Sequence, residues 1–358
     1  MIKKLIKFTL ITATILIIII FYLSFFGIST NKLNNKIKNE ILNINKNINL
    51  ELKSVKLLLN PFDFTINVKT FGSNILFDNN KIELENIITN ISLKSLLINQ
   101  FSIDDLQIST KVINLKDLIR LARSFENSTE LFILERIIKD GFLIGDIHLN
   151  FDSSGKVKDD YEIKGFIKNG KIDILKKKNL ENLNLLFSIK NNNYRLEDIN
   201  LELNQIKFLS PLIAIKKKNN QFLIDGKLIS NKKDIDIKFL NSFLGDLFSN
   251  FDIKNINFSS VNDFTFSVDN KLKISDLSIT SIVNLNTLDY KNDSLSIKKY
   301  LPNFQELIKL ENHKILIDYT KNQLKINGKG DITIEDKSDN IDYKLTRKNN
   351  EYNFNTNI

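Results

Sequence analysis

The chain has 358 residues, 42% of them hydrophobic and 26% charged, a balance that supports a folded protein and excludes a disordered one. Its formal charge is +9; Lys3, Lys4 and Lys7 precede the first apolar run, and the remaining +6 is interleaved with Asp and Glu, which argues against a nucleic-acid footprint. There is no cysteine, so disulfides, thiolate zinc sites, cysteine nucleophiles and lipoprotein acylation are excluded together. With only 11 Gly and 3 Pro, turns must be made mostly by Asn, Asp, Ser and Lys.

From Phe8 to Ile28 the chain runs without a charge. As a helix, such a run spans about 30 Å, the thickness of a bilayer core. The lysines on its N-terminal flank place residues 1–7 in the cytoplasm and everything after the span across the membrane. A cleaved signal peptide has a shorter apolar region and small residues at its end, where this chain has Phe25 and Phe26. An uncleaved anchor over residues 8–28 is expected, and no second span.

Leu33, Ile37, Ile41, Ile44 and Ile48 then recur at helical spacing, predicting an amphipathic helix beside the membrane. From Ile48 the period becomes two: Ile48/Leu50/Leu52, Val55/Leu57/Leu59, Phe64/Ile66/Val68 after a break at Pro61, then Ile82/Leu84, Ile91/Leu93 and Leu106/Ile108. A helix capped by Asn114 interrupts these strands, and a second helix is expected from Thr129 to Lys139. Alternation resumes in Ile147/Leu149/Phe151, Leu183/Leu185/Phe187/Ile189, Ile199/Leu201/Leu203, Phe222/Ile224, Ile235/Ile237/Phe239, Phe264/Phe266/Val268 and Leu324/Ile326. Short helices are expected near Phe239–Leu247 and Pro302–Leu310, and turns at 152–155, Asn169-Gly170, 191–193 and Asn219-Asn220.

Each such strand is apolar on one face only, so antiparallel pairing builds a sheet with one continuous apolar face that something must cover. A second sheet or a few helices would close it as a sandwich. A sheet curled into a gutter would instead leave that face to lipid acyl chains, since bare apolar surface of that extent invites aggregation. Periodicity leaves both open.

The order of elements resembles the AsmA-like proteins of Gram-negative bacteria, the family that includes the YhdP and TamB branches. The likeness runs through the anchor, the amphipathic helix, the strand Ile48 to Val55, the break Asn60-Pro61-Phe62, the run Ile87 to Leu97 with its Ser-Leu-Leu turn, and Phe101 to Ile108. It covers roughly residues 5–125 closely and the later half in style. The resemblance implies an inner-membrane anchor, a β-rich periplasmic groove and a role in moving phospholipid or maintaining the outer membrane, with no catalytic residues. Family members are generally much longer, so this chain is expected to be a fragment, a short member or one piece of an assembly. About twenty strands roughly 4.8 Å apart would give a groove of about 100 Å.

The chemistry sought elsewhere is sparse. His148 and His313 are the only histidines, each inside a strand-like run, and read as structural. Asp104-Asp105 and Asp159-Asp160 suit turn or edge positions, because neighbouring strand residues point to opposite faces. Asn327-Gly328-Lys329-Gly330 lacks the spacing of a phosphate loop and reads as a tight turn. Lys176–Lys178 and Lys216–Lys218 read as hairpin tips that protect sheet edges, with contact to anionic head groups as their functional reading.

The expected protein is therefore mainly β: a transmembrane helix, a membrane-proximal section over residues 29–125, and a continuing groove section over 126–358, forming an elongated, curled antiparallel sheet with a few covering helices. No enzyme activity, cofactor or metal is expected. The expected partners are phospholipid acyl chains, the membrane and other envelope proteins, with Leu183, Leu185, Phe187, Ile189, Phe264, Phe266 and Val268 as candidate groove residues. The alternative is a membrane-tethered, non-enzymatic scaffold with a closed, lipid-free sheet packing.

Overall fold

The computed structural model of the protein describes residues 2–44, 46–77, 80–98, 100, 102–125, 129–175, 178–191, 193–203, 206–218, 221–234, 252–269, 273–291, 307–334, 337–348 and 351–357. These are mainly β: twenty strands, paired antiparallel in a sheet that does not close on itself, with five helices. By contact the chain divides into two units, Met1–Asp173 with Leu186–Asn191, and Ile174–Leu185 with Asn192–Ile358.

Phe8–Phe25 of the uncharged run lie in α1 (Ile2–Phe25), which also takes in Lys3, Lys4 and Lys7 and stops short of the expected limit at Ile28; its Lys3–Phe25 stretch reaches a mean hydropathy of 2.5 and is long and apolar enough to span a membrane. Its side chains are exposed along nearly the whole length, as lipid contact requires. Its threonine and serine hydroxyls are satisfied inside the helix: Thr9, Thr12, Thr14 and Ser24 each donate to the carbonyl four residues back, at 2.8–2.9 Å. Helix α1 ends where the N–H groups of Phe26 and Gly27 share the Tyr22 carbonyl, and Gly27, at φ +65°, turns the chain into β1 (Ile28–Thr30).

Next come α2 (Asn34–Ile44), β2 (Ile48–Glu51), β3 (Ser54–Asn60), β4 (Thr65–Phe71), β5 (Asn74–Phe77), β6 (Asn80–Ser92) and α3 (Leu93–Leu97). They lead on to β7 (Ile103–Thr110), β8 (Ile113–Asn114), α4 (Leu115–Phe125), α5 (Thr129–Ile137), β9 (Ile138–Asn150) and β10 (Glu162–Leu175). The main ladder of the first unit runs β1, β3, β4, β6, β7, β9, β10, while β2 and β5 extend the first half of β6. Helix α2 is shorter than its periodicity: Ile48 already belongs to β2, where it is buried with Leu50. The Asn34 amide pins the start of α2 by donating to the carbonyls of Leu52 and Lys53, at 3.0 and 3.2 Å.

The helix expected after Asn114 forms as α4, with the Asn114 Oδ1 accepting from the Lys116 N–H at 2.9 Å. Its Leu115, Leu118 and Ile119 make one apolar stripe that packs on Ile138 and Leu143 of β9. Leu121 of α4 instead joins Ile48, Ile82, Leu84 and Ile113 in a second buried cluster. Arg120 and Arg123 of α4 both reach Glu135 of α5, and Arg123 also lies over the Phe132 ring. Helix α5 stops at Ile137, two residues before its expected end, because Ile138 is buried as the first residue of β9.

Two turn or strand expectations are corrected in this unit. Asn169-Gly170 does not reverse the chain: Asn169 has φ +53°, but it forms a bulge inside β10, with the pairing to β9 shifted between Lys168 and Lys171. The bulge lies against Gly141, where a Cβ would come within 2.9 Å of the Gly170 Cα. Phe64, expected in a strand, sits in the β3–β4 turn at φ +53°. The turn at 152–155 forms as expected, closed by Asp152, whose Oδ1 accepts from the Ser154 hydroxyl and from the N–H groups of Ser154 and Lys156.

β11 (Lys178–Lys190) is divided between the two units. The second unit continues with β12 (Asn193–Leu203), β13 (Ile206–Lys218), β14 (Gln221–Asp234), β15 (Asp252–Asp269), β16 (Ile274–Lys291), β17 (Leu307–Thr320), β18 (Gln323–Ile334), β19 (Lys337–Lys348) and β20 (Glu351–Asn357). From β12 to β20 each strand pairs antiparallel with the next in sequence. The helix expected at 239–247, the turn at Asn219-Asn220 and Lys176-Lys177 lie outside the described residues. Of the helix expected at 302–310, Leu307–Leu310 are in β17, where Ile308 and Leu310 pair with Ile334 and Ile332 of β18. Asn327–Gly330, expected as a tight turn, is extended backbone within β18.

Candidate functional site: a one-sided apolar face

In a strand, alternate side chains share a face, and antiparallel register decides which residues of neighbouring strands stand in line. The registers of β12 to β19 bring two rows of mostly apolar residues onto one face. One row reads Leu196, Ile213, Gly226, Phe264, Ile279, Tyr319 and Leu324. A second reads Leu201, Phe208, Ser230, Ser260, Val283, Ile315, Gly328 and Tyr343. Bulges in β13–β14 and β15–β16 shift the pairing without turning the apolar sets to the other side.

The opposite face is laced with exposed ion pairs, Lys227 with Asp263 at 3.3 Å, Arg195 with Glu197 at 2.7 Å and Lys329 with Asp342 at 3.5 Å, but it also carries one apolar row, Leu209, Ile229, Val261, Ile282 and Leu316, of which Leu209, Ile282 and Leu316 are exposed. Such pairs add little stability, but they mark the solvated side. On the apolar side most residues are half-buried, and among the described residues this part of the second unit consists of strands that pack chiefly on their ladder neighbours. Part of the face fills itself: Ile206, Ile256 and Leu285 are buried, with Phe208, Phe258 and Leu288 against them.

The seven candidate groove residues do not share one environment. Phe264, Phe266 and Val268 of β15 lie half-buried on the apolar face, with the Phe264 and Phe266 rings 5.9 Å apart. Phe222 and Ile224 of β14 pair with Val268 and Phe266 and extend that patch. Leu183 and Leu185 of β11 are buried. Phe187 packs on Leu115, Ile119, Ile138 and Leu143 in the first unit, and Ile189 is half-buried.

The apolar face also holds a histidine. His313 is 1% exposed; its Nε2 lies 2.9 Å from the Asp331 carbonyl and its Nδ1 lies 3.3 Å from the Tyr343 hydroxyl. A carbonyl only accepts, so Nε2 carries the proton in the neutral ring and Nδ1 accepts from Tyr343. Burial raises the Tyr343 phenol above its ordinary value and keeps it a donor. Gly328 and Gly330 make this packing possible, since a Cβ on either would fall inside the Tyr343 or the His313 ring contact. Period-two glycines within a strand pattern signal close approach of a neighbour, and that reading fits these two better than a turn.

His148 is a partly exposed residue of β9, 3.7 Å from the Asp105 carboxylate, and Asp105 itself accepts from the Asn90 and Gln107 side chains. Among the described residues no three His, Asp or Glu gather as metal ligands. A concavity of about 780 Å³ near His313 lies open on the side lined by Asn312, Lys314, Asn327, Lys329, Asn340 and Asp342. No family model, no curated protein and no solved structure matches the chain.

Proposed function

We propose that this protein is a membrane-anchored lipid-binding protein of AsmA-like type, inserted with its N-terminus in the cytoplasm and its bulk in the periplasm. In this reading it holds phospholipid acyl chains on the apolar face of β12–β19 for transport or outer-membrane maintenance. The observation that carries the reading is register: consecutive strands align two apolar rows on one face, within a single sheet that does not close on itself. Half-buried rings such as Phe264 and Phe266 offer acyl chains contact that a filled core would not. The flanking Lys3, Lys4 and Lys7 support the orientation.

A photo-crosslinking residue in place of Phe266, in the full chain in cells, tests it, with Thr265 on the polar side as the control position. A phospholipid adduct at 266 and none at 265 is the expected result. The absence of lipid at 266 would favour the second reading, a tethered scaffold, which the self-filled patch around Ile206, Ile256 and Leu285 supports.

A further inference from the structure

We infer that the first unit makes a second contact with the membrane: Phe62 and Phe64, with Leu97 and Ile98, form an apolar tip that dips into the bilayer surface beside α1. This rests on the reading of α1 as a membrane span.

Register places the tip. Gly27 ends the anchor, and Ile28 enters the ladder opposite Leu57 of β3, which stands in line with Val68 of β4 and Thr89 of β6. β1 runs antiparallel to β3, so the chain comes in from the side toward which β3 and β6 run out. From that level β3 continues to Asn60 and β6 to Ser92, about 10 Å further at roughly 3.4 Å per residue. There the β3–β4 turn and α3 join, with the Leu93 N–H donating to the Phe64 carbonyl at 2.9 Å.

What stands at that end is apolar and held outward. Phe62 is 96% exposed, Phe64 67% and Leu97 84%, and Ile98 follows directly, more than half exposed. The turn is braced under them: the Asn60 Oδ1 accepts from the N–H groups of Phe62 and Asp63, and its Nδ2 donates to the Asp63 carboxylate at 2.7 Å. Phe64 holds a left-handed backbone, a position at which Asn or Gly would sit with less strain. An aromatic ring at such a strained, solvent-facing site is explained by what it touches outside the chain.

The bilayer is the occupant these observations select. The tip lies on the side of the ladder from which the anchor enters it, and the end of α1 itself exposes Tyr22, Phe25 and Phe26, an aromatic set suited to the membrane interface. Lys94, exposed on α3, is placed for anionic head groups.

The chain has no tryptophan, so single substitutions report depth directly. The full chain, reconstituted in phosphatidylcholine–phosphatidylglycerol vesicles, would carry Phe62→Trp, Phe21→Trp in the anchor, or Phe142→Trp in β9. Phe142 lies seven residues along β9 from Leu149, which stands in line with Leu106 and Thr89, and so about 24 Å back from the level of Ile28. Quenching by phospholipids brominated on their acyl chains is expected for Phe21→Trp and Phe62→Trp, several-fold stronger than for Phe142→Trp. Quenching at 21 with none at 62 overturns the tip and leaves the anchor standing. No quenching at 21 overturns the anchor and the tip together, and equal quenching at 62 and 142 overturns the tip as a specific contact.

Discussion

His313 lies over Gly330 so closely that a Cβ on residue 330 would fall 2.4 Å from its Cδ2. Gly328 stands in the same relation to the Tyr343 ring, at 2.1 Å. Gly330→Ala and Gly328→Ala should each lower stability by about 1–3 kcal/mol through overpacking. Denaturant unfolding of each variant measures this, and a midpoint unchanged in both would show that the rings move aside freely.

Gly27 joins anchor to ladder. At φ +65°, with Leu57 O only 2.3 Å from where a Cβ would lie, it admits no side chain without displacing β1 from β3. Gly27→Ala should loosen that pairing by roughly 1 kcal/mol or more. Faster proteolysis between Phe26 and Leu33, with the remainder of the chain still resistant, is the expected sign.

The candidate groove residues should separate by burial. Leu185→Arg places a charge in a buried position of β11 and should cost about 3 kcal/mol or more. Phe266→Arg, on the half-open face, can extend its guanidinium to water and should cost about 1 kcal/mol. Thermal unfolding distinguishes the two, and on the lipid reading Phe266→Arg alone should abolish lipid capture while leaving the fold intact.

Glu83 gives a pH signature. The Lys111 ammonium at 3.1 Å, and Lys81 beside it, hold its carboxyl below the ordinary glutamate value. A lowered folded value means the unfolded chain takes up the proton first, so the stabilisation is complete above the ordinary value and lost as pH falls through the folded one. The parent should exceed Glu83→Gln in stability at neutral pH and low salt, with the difference vanishing in acid. Because the group is exposed, added salt should shrink it too.

The strand content and the sidedness of the sheet were legible because alternation at Phe264, Phe266 and Val268 assigns residues to faces. What lies across from a face is not in the alternation, so Leu185 and Phe266 look alike in sequence and differ in burial. Asn169-Gly170 carried the correct signal of positive φ, but one such residue marks a bulge as readily as a reversal. The alternation reads Phe64 into a strand and Phe62 into the break at Pro61, and only the register of β1 on β3 shows which end of the sheet the two occupy.

The sequential pairing of β12 through β20 makes this stretch a quasi-one-dimensional array, whose stability is close to a sum of strand terms and nearest-neighbour terms. Every pairing in it joins strands adjacent in sequence, which favours zipping outward from any hairpin. Excision of a complete hairpin restores both strand direction and the parity of inward and outward side chains, whereas loss of one strand reverses the direction of every strand after it. Length in this stretch can therefore change in steps of two strands while the chemistry of the face stays the same.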